Sequence, residues 1–187
     1  LDRGFYYYSR TEKGKQYPIH CRRKGSMDSL EEVILDVNAL AQGESFMAAE
    51  ILGVSPDGNW LAYAVDNTGF RQYTLYIKDL RTGRIGPEAI PRVTSMVWAE
   101  DNRSLFYTIE HEQTKRSYRV YRHVIGQVND PLVYEESDER FSTHVYKSRD
   151  RQMIFISASS YTTSEVRYLP AGQPAEEPRL IAAREQD

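Results

Sequence analysis

Val54-Ser55-Pro56-Asp57-Gly58-Asn59-Trp60-Leu61-Ala62-Tyr63 reads as the end of one strand, a tight turn and the start of a buried strand. Pro56 presets φ, Asp57 caps the backbone locally, and Gly58 accepts a positive φ. The large apolar residues that follow fit a strand packed on both sides. Two weaker copies lie downstream: Trp98-Ala99-Glu100-Asp101-Asn102-Arg103-Ser104-Leu105-Phe106-Tyr107 and Lys147-Ser148-Arg149-Asp150-Arg151-Gln152-Met153-Ile154-Phe155-Ile156. Asp101 stands forty-four positions after Asp57, and Asp150 forty-nine after Asp101. A period of about 40–50 residues built from short strands is the signature of a β-propeller blade.

The stretches between the copies repeat the same order of elements. In the second repeat, 46–54 leads through the turn into 60–66, then a loop at 67–71, a strand at 73–79, the turn Arg81-Thr82-Gly83 and a more polar strand at 87–93. The third repeat gives strands at 94–98, 105–110, 118–124 and 132–136; the fourth gives 141–146, 153–157, 165–169 and 179–182. The first is truncated. Its strands at 5–9, 17–22 and 32–36 match the second, third and fourth of a blade, and its innermost strand would precede Leu1. Second strands such as Leu61-Ala62-Tyr63-Ala64-Val65 are apolar on both faces, as a sheet between two sheets requires. Outer strands such as Leu132-Val133-Tyr134-Glu135-Glu136 carry the charge of an exposed edge. Only 37–43 has room for a helical turn. The chain is expected to be all-β: a partial propeller of about four four-stranded antiparallel blades, over 1–43, 44–93, 94–137 and 138–187.

Composition agrees. The 187 residues are 40% hydrophobic, 12% aromatic and 27% charged, with a formal net charge of −3. That charge gives no bulk attraction to nucleic acid or anionic lipid. No apolar run approaches the roughly 18 residues of a membrane span, and the start at Leu1-Asp2-Arg3-Gly4 has no apolar leader. Neither nucleic acid nor membrane is an expected partner. The one cysteine, Cys21, excludes an internal disulfide and suits a reducing, cytoplasmic compartment.

The chain also resembles a known family. Tyr7-Tyr8-Ser9-Arg10 with Gln16-Tyr17-Pro18-Ile19-His20-Cys21-Arg22-Arg23 is similar to the first propeller blade of the oligopeptidase B (protease II) group. So are Ile34-Leu35-Asp36-Val37-Asn38, Gly69-Phe70-Arg71-Gln72-Tyr73-Thr74-Leu75, Lys78-Asp79-Leu80-Arg81-Thr82-Gly83, Tyr121-Arg122-His123-Val124-Ile125-Gly126 and 158–167. The resemblance runs in order along nearly the whole chain. It implies a serine peptidase of the prolyl oligopeptidase family, in which a seven-bladed propeller covers an α/β-hydrolase domain. It further implies cleavage of short peptides after Arg or Lys, with the propeller restricting access by large folded substrates. The family's triad and its carboxylates for basic side chains lie C-terminal to the propeller, and no Gly-x-Ser-x-Gly elbow occurs here. The chain is therefore expected to be non-catalytic alone, without cofactor or metal, its partner being the catalytic domain of the same parent.

Other constellations are weaker. His111-Glu112 lacks the second histidine of a zinc-peptidase helix, since Lys115 stands four positions on. His20, His111, His123 and His144 show no ligand spacing. The basic and aromatic stretch 10–24 is a hairpin tip and blade packing before it is a nucleic-acid site. Cys21 reads as a small buried strand residue. Arg71 is the residue to watch, in a loop longer than a hairpin needs. It is expected to pair with a carboxylate at the central opening or domain interface. Glu44 is a candidate local partner, although the family places its acid one position later, at Ser45 here. The competing function is a free-standing interaction propeller, but the Trp-Asp of scaffold blades is replaced by Lys78-Asp79 and Arg122-His123. Two unpaired blade faces predict self-association.

Overall fold

Leu61, Tyr63 and Val65 point to one side of their strand and Trp60 and Ala62 to the other, and both sides are packed. This period-two alternation of apolar residues on two faces builds a stack of sheets. The computed structural model describes residues 1–185; the last two positions of the fourth repeat, 186–187, lie outside the described residues. The first sheet has three strands, β1 (Phe5–Arg10), β2 (Ile19–Lys24) and β3 (Glu32–Asp36), and is followed by a single helical turn, α1 (Val37–Leu40). The second has β4 (Ala48–Val54), β5 (Trp60–Asp66), β6 (Thr74–Asp79) and β7 (Ile90–Pro91). The third has β8 (Val93–Trp98), β9 (Ser104–Glu110), β10 (Ser117–Val124) and β11 (Leu132–Glu135). The fourth has β12 (Ser142–Lys147), β13 (Met153–Ser159), β14 (Ser164–Pro170) and β15 (Arg179–Ala182). All pairings within the sheets are antiparallel between neighbours in sequence. The all-β blade reading is borne out, the first blade being short by one strand.

One strand differs from expectation. The segment 87–93 contributes only Ile90–Pro91 to its sheet, and Val93 opens β8 of the next. Pro87 and Pro91 lack the N–H a ladder needs, and Arg92, with φ at 62°, turns the chain between the two sheets.

Three buried clusters lie between the sheets. Leu61 and Tyr63 pack with Ile34, Leu35 and Val37; Leu75, Ile77 and Ala62 pack with Val93, Leu105 and Tyr107; Phe106 and Val120 pack with Val145, Ile154, Ile156 and Leu169. The first strands β4, β8 and β12 lie side by side in that order, so they mark the axis. The turns joining first to second strands therefore ring one end of the axis. The connections from second to third strands ring the other.

The turns at the first end share one construction. Ser55 N donates to Trp60 O at 2.8 Å, Gly58 N to Ser55 O at 2.9 Å, and Ser55 Oγ to Asp57 Oδ1 at 2.6 Å. Ser148 and Asp150 repeat this: Ser148 N reaches Met153 O at 2.9 Å and Ser148 Oγ reaches Asp150 Oδ1 at 2.5 Å. The left-handed position is Gly58 in one turn, Asn102 in the next and Arg151 in the last, with φ of 78°, 64° and 64°. Gly58 differs from the others in also lying against blade 1, where an added Cβ would sit 3.1 Å from the Phe5 ring. Gly58→Ala therefore meets both a backbone penalty of about 1–2 kcal/mol and a tight contact. We expect a lower urea midpoint at unchanged slope.

Candidate functional site

The first end of the axis is crossed by ion pairs. Asp2 and Phe5 exchange backbone hydrogen bonds at 2.8 and 2.9 Å, and Arg3 and Gly4 between them have φ of 48° and 83°. That is a two-residue hairpin turn of the kind that suits twisted strands. It occupies the place of a fourth first-to-second-strand turn but is shorter than the other three; the sequence reading passed it over, although Gly4 before the run Phe5–Ser9 was its signal. From this turn, Arg3 Nη2 donates to both oxygens of Glu100, at 2.8 and 2.7 Å. Lys147 Nζ donates to Glu100 Oε1 at 2.6 Å, and Arg151 pairs with Asp2. Blade 1 thus reaches past blade 2 to the turns of blades 3 and 4.

Glu100 is the centre of this arrangement. Burial pushes its carboxyl up, and the hydrogen bonds from Lys147 and Arg3 outweigh burial and hold it below the usual range. Burial lowers the Lys147 ammonium against the opposing pull of Glu100. Partly exposed pairs contribute little singly. Three charge-assisted bonds on one carboxylate make a stronger junction.

At the opposite end, the loop 67–71 is folded around one buried carboxylate. Asp66 accepts from Thr68 N at 2.8 Å, Thr68 Oγ1 at 2.6 Å, Gly69 N at 3.2 Å and Arg71 N at 2.8 Å. Burial pushes Asp66 up, but these donors outweigh it and keep the carboxyl low. The loop holds Arg71 at a φ of 57° with its side chain exposed, beside the exposed ring of Phe70. Glu44 is exposed on the preceding loop, which adjoins this one where Phe46 approaches Gly69. Among the described residues no ion pair joins Arg71 to Glu44. The organising residue, Asp66, was missed by sequence; Asp-Asn-Thr-Gly after an apolar strand is the local signal for such a turn.

The remaining candidates fall in separate places. His111 Nδ1 accepts from Gln113 N and Thr114 N at 3.3 and 3.4 Å at the tip of the β9–β10 hairpin. His144 stacks on Tyr146 in blade 4, and Ser9 Oγ lies 2.9 Å from His20 Nδ1 in blade 1. Cys21 is buried, and burial pushes its thiol up, away from nucleophilic character. Near the same end as Arg71, Arg116 donates to the carbonyls of Glu136, Asp138 and Phe141 at 3.2, 3.1 and 2.7 Å. Glu136 in turn holds Arg184, Tyr134 Oη at 2.7 Å and Asp138 N at 2.9 Å.

A stack of antiparallel four-stranded sheets of this kind is a propeller segment. The chain belongs to the family described as prolyl oligopeptidase, N-terminal beta-propeller domain, which matches residues 2–187. It is 39% identical over 204 aligned positions to dipeptidyl aminopeptidase BI of Pseudoxanthomonas mexicana, covering all of this chain and 28% of that one. Protease 2 of Moraxella lacunata is 35% identical over 96% of this chain and 27% of its own. The structure of oligopeptidase B from Leishmania major superposes with a TM-score of 0.91 at 31% identity, over all of this chain and 27% of that one. The chain thus spans little more than a quarter of the length of these relatives.

Proposed function

We propose that this chain is part of the propeller that covers the active site of a serine oligopeptidase and admits only short peptides. The cross-axis ion network carries this reading. A propeller left open along its axis would give peptides a second route, and the pairs among Arg3, Glu100, Lys147, Asp2 and Arg151, which draw the turns of blades 1, 3 and 4 together, support a narrowed opening at that end. The opposite end, with Arg71 and Glu44, faces the catalytic α/β-hydrolase domain of the parent, and Arg71 meets a carboxylate of that domain. Cleavage after Arg or Lys is the specificity that the resemblance to oligopeptidase B implies for the parent. The chain alone hydrolyses nothing, and its two unpaired blade faces make it self-associate when isolated. A cytoplasmic, reducing setting suits the single buried Cys21.

The test uses the full-length parent carrying Glu100→Gln. Cleavage of a Lys or Arg amide of two or three residues should keep its rate, while cleavage of a peptide long enough to need a wide entrance should rise roughly 3–10-fold. Equal rates on both substrates in variant and wild type would remove the gate. Absence of any activity on the short amides would favour a free-standing interaction propeller. One comparison supports a second reading: a relative at 39% identity bears a dipeptidyl aminopeptidase name. On that reading, blocking the substrate's amino terminus abolishes cleavage.

A further inference from the structure

Between blades 2 and 3, at the rim, the structure builds a histidine that lacks one partner. His123 on β10 is 3% exposed. Its Nδ1 lies 2.9 Å from Asp130 Oδ1, and Asp130 Oδ2 accepts from Tyr107 Oη at 2.8 Å. A carboxylate only accepts, so the neutral ring carries its proton on Nδ1 and turns a lone pair outward from Nε2. That Nε2 is buried and has no hydrogen-bond partner. It faces Glu88 Oε1 of blade 2 at 3.6 Å, another acceptor. Glu88 reaches this position because residue 86 is glycine: a Cβ there would lie 2.0 Å from Glu88 Oε2. Beside the pair lies a cavity of about 310 Å³, lined by His123, Glu88, Asp130, Pro87, Ile90 and the exposed Val128.

With the ring neutral, Nε2 and Glu88 Oε1 are two acceptors opposed across a buried gap, an arrangement that a bound cation would satisfy. We propose that His123 Nε2 and Glu88 Oε1 bind a borderline first-row divalent metal ion, zinc being the probe, and so join blade 2 to blade 3. In a tetrahedral zinc centre, nitrogen and oxygen ligands stand about 3.4 Å apart. The 3.6 Å separation is within a small side-chain adjustment of that spacing. Asp130 supplies the outer hydrogen bond that orients ligating histidines and raises their basicity, and Tyr107 fixes Asp130. Among the described residues no group of three or more His, Cys, Asp or Glu gathers as a metal site. The protein therefore gives two ligands, and the adjoining cavity leaves room for water at the others. The spacing of histidines in sequence could not reveal this, because the second ligand is a glutamate of another blade.

The test is a zinc titration of the full-length protein after chelator treatment. At about a hundred times the dissociation constant, zinc should raise the thermal midpoint by about 2 °C. The shift should vanish in both His123→Gln and Glu88→Gln and persist in His111→Gln. Cobalt should give tetrahedral absorption bands in the wild type only. An absent shift, or one undiminished in the His123 and Glu88 variants, overturns the proposal. Nitrogen resonances of the histidine rings provide a readout that does not depend on the variants folding. Zinc should move one Nε2 signal while the same ring keeps its proton on Nδ1; movement confined to exposed rings would overturn the assignment.

Discussion

Phe106→Ala is expected to lower the unfolding free energy by about 3–5 kcal/mol, the range for truncating a buried aromatic side chain. Phe106 has no exposed surface and stands on β9 between blades 3 and 4, against Val120, Val145, Ile154, Ile156 and Leu169. These neighbours come from two sheets with their own ladders, so they cannot collapse into the void without breaking register. The loss is a large share of the roughly 5–15 kcal/mol that holds a typical domain. The same substitution at Phe70, whose ring is exposed on the loop 67–71, should change stability little. Denaturant unfolding of both variants separates the cases. Equal midpoints would mean that the contact between blades 3 and 4 does not limit stability.

Glu136→Ala is expected to have the next largest effect, about 2–3 kcal/mol, because it leaves Tyr134 Oη and Asp138 N without their acceptor and Arg184 with the longer contact to Glu165 at 3.4 Å as its remaining ion pair. Glu136 is 3% exposed and is the acceptor for Arg184, Tyr134 Oη and Asp138 N. Glu136→Gln should lose roughly half as much, since its amide oxygen keeps two of the acceptor contacts. Acid adds a signature. Burial pushes the Glu136 carboxyl up, but Arg184, the Asp138 amide and Tyr134 outweigh it, so its folded-state value lies below its ordinary one. A lowered carboxyl contributes stability that is complete above the unfolded-state value and is lost as pH falls toward the folded one. Asp138, lowered to about 2 chiefly by Arg140, acts in the same direction between the ordinary carboxylate range and that value. The Glu136 variants should therefore lose less stability on acidification than the wild type, as read by unfolding free energies at pH 7 and pH 3.

The blades were legible because their signals are local. Pro56-Asp57-Gly58 names its own turn, and the alternation in Leu61–Val65 and Leu105–Ile109 names a strand packed on both faces. The fourth strand of blade 2 was less legible. The stretch 87–93 read as one polar outer strand, yet only Ile90–Pro91 pairs with β6 before Arg92 turns the chain into the next sheet. The candidate sites were legible in proportion to how local they are. The loop bearing Arg71 could be located, and the four-donor grip of Asp66 within it could have been read. Arg3 and Glu100 are 97 positions apart, and Asp2 and Arg151 are 149 apart, so nothing near either residue foretells its partner. His123 and Glu88 meet only because two sheets stack. Charges that find each other across blades are a property of the ring, not of the repeat.

The turn at Asp2-Arg3-Gly4 also has a mechanical consequence. A stack of sheets joined only to their neighbours yields to tension one member at a time, as a zip opens from its end. With Asp2 fastened to Arg151 and Arg3 to Glu100, a load on the first strand is shared with the fourth sheet before β1 can peel away. These partly exposed pairs tie the stack end to end like a light hoop, each adding little by itself. β15, exposed along its whole length, is the place where such a hoop would begin to fray.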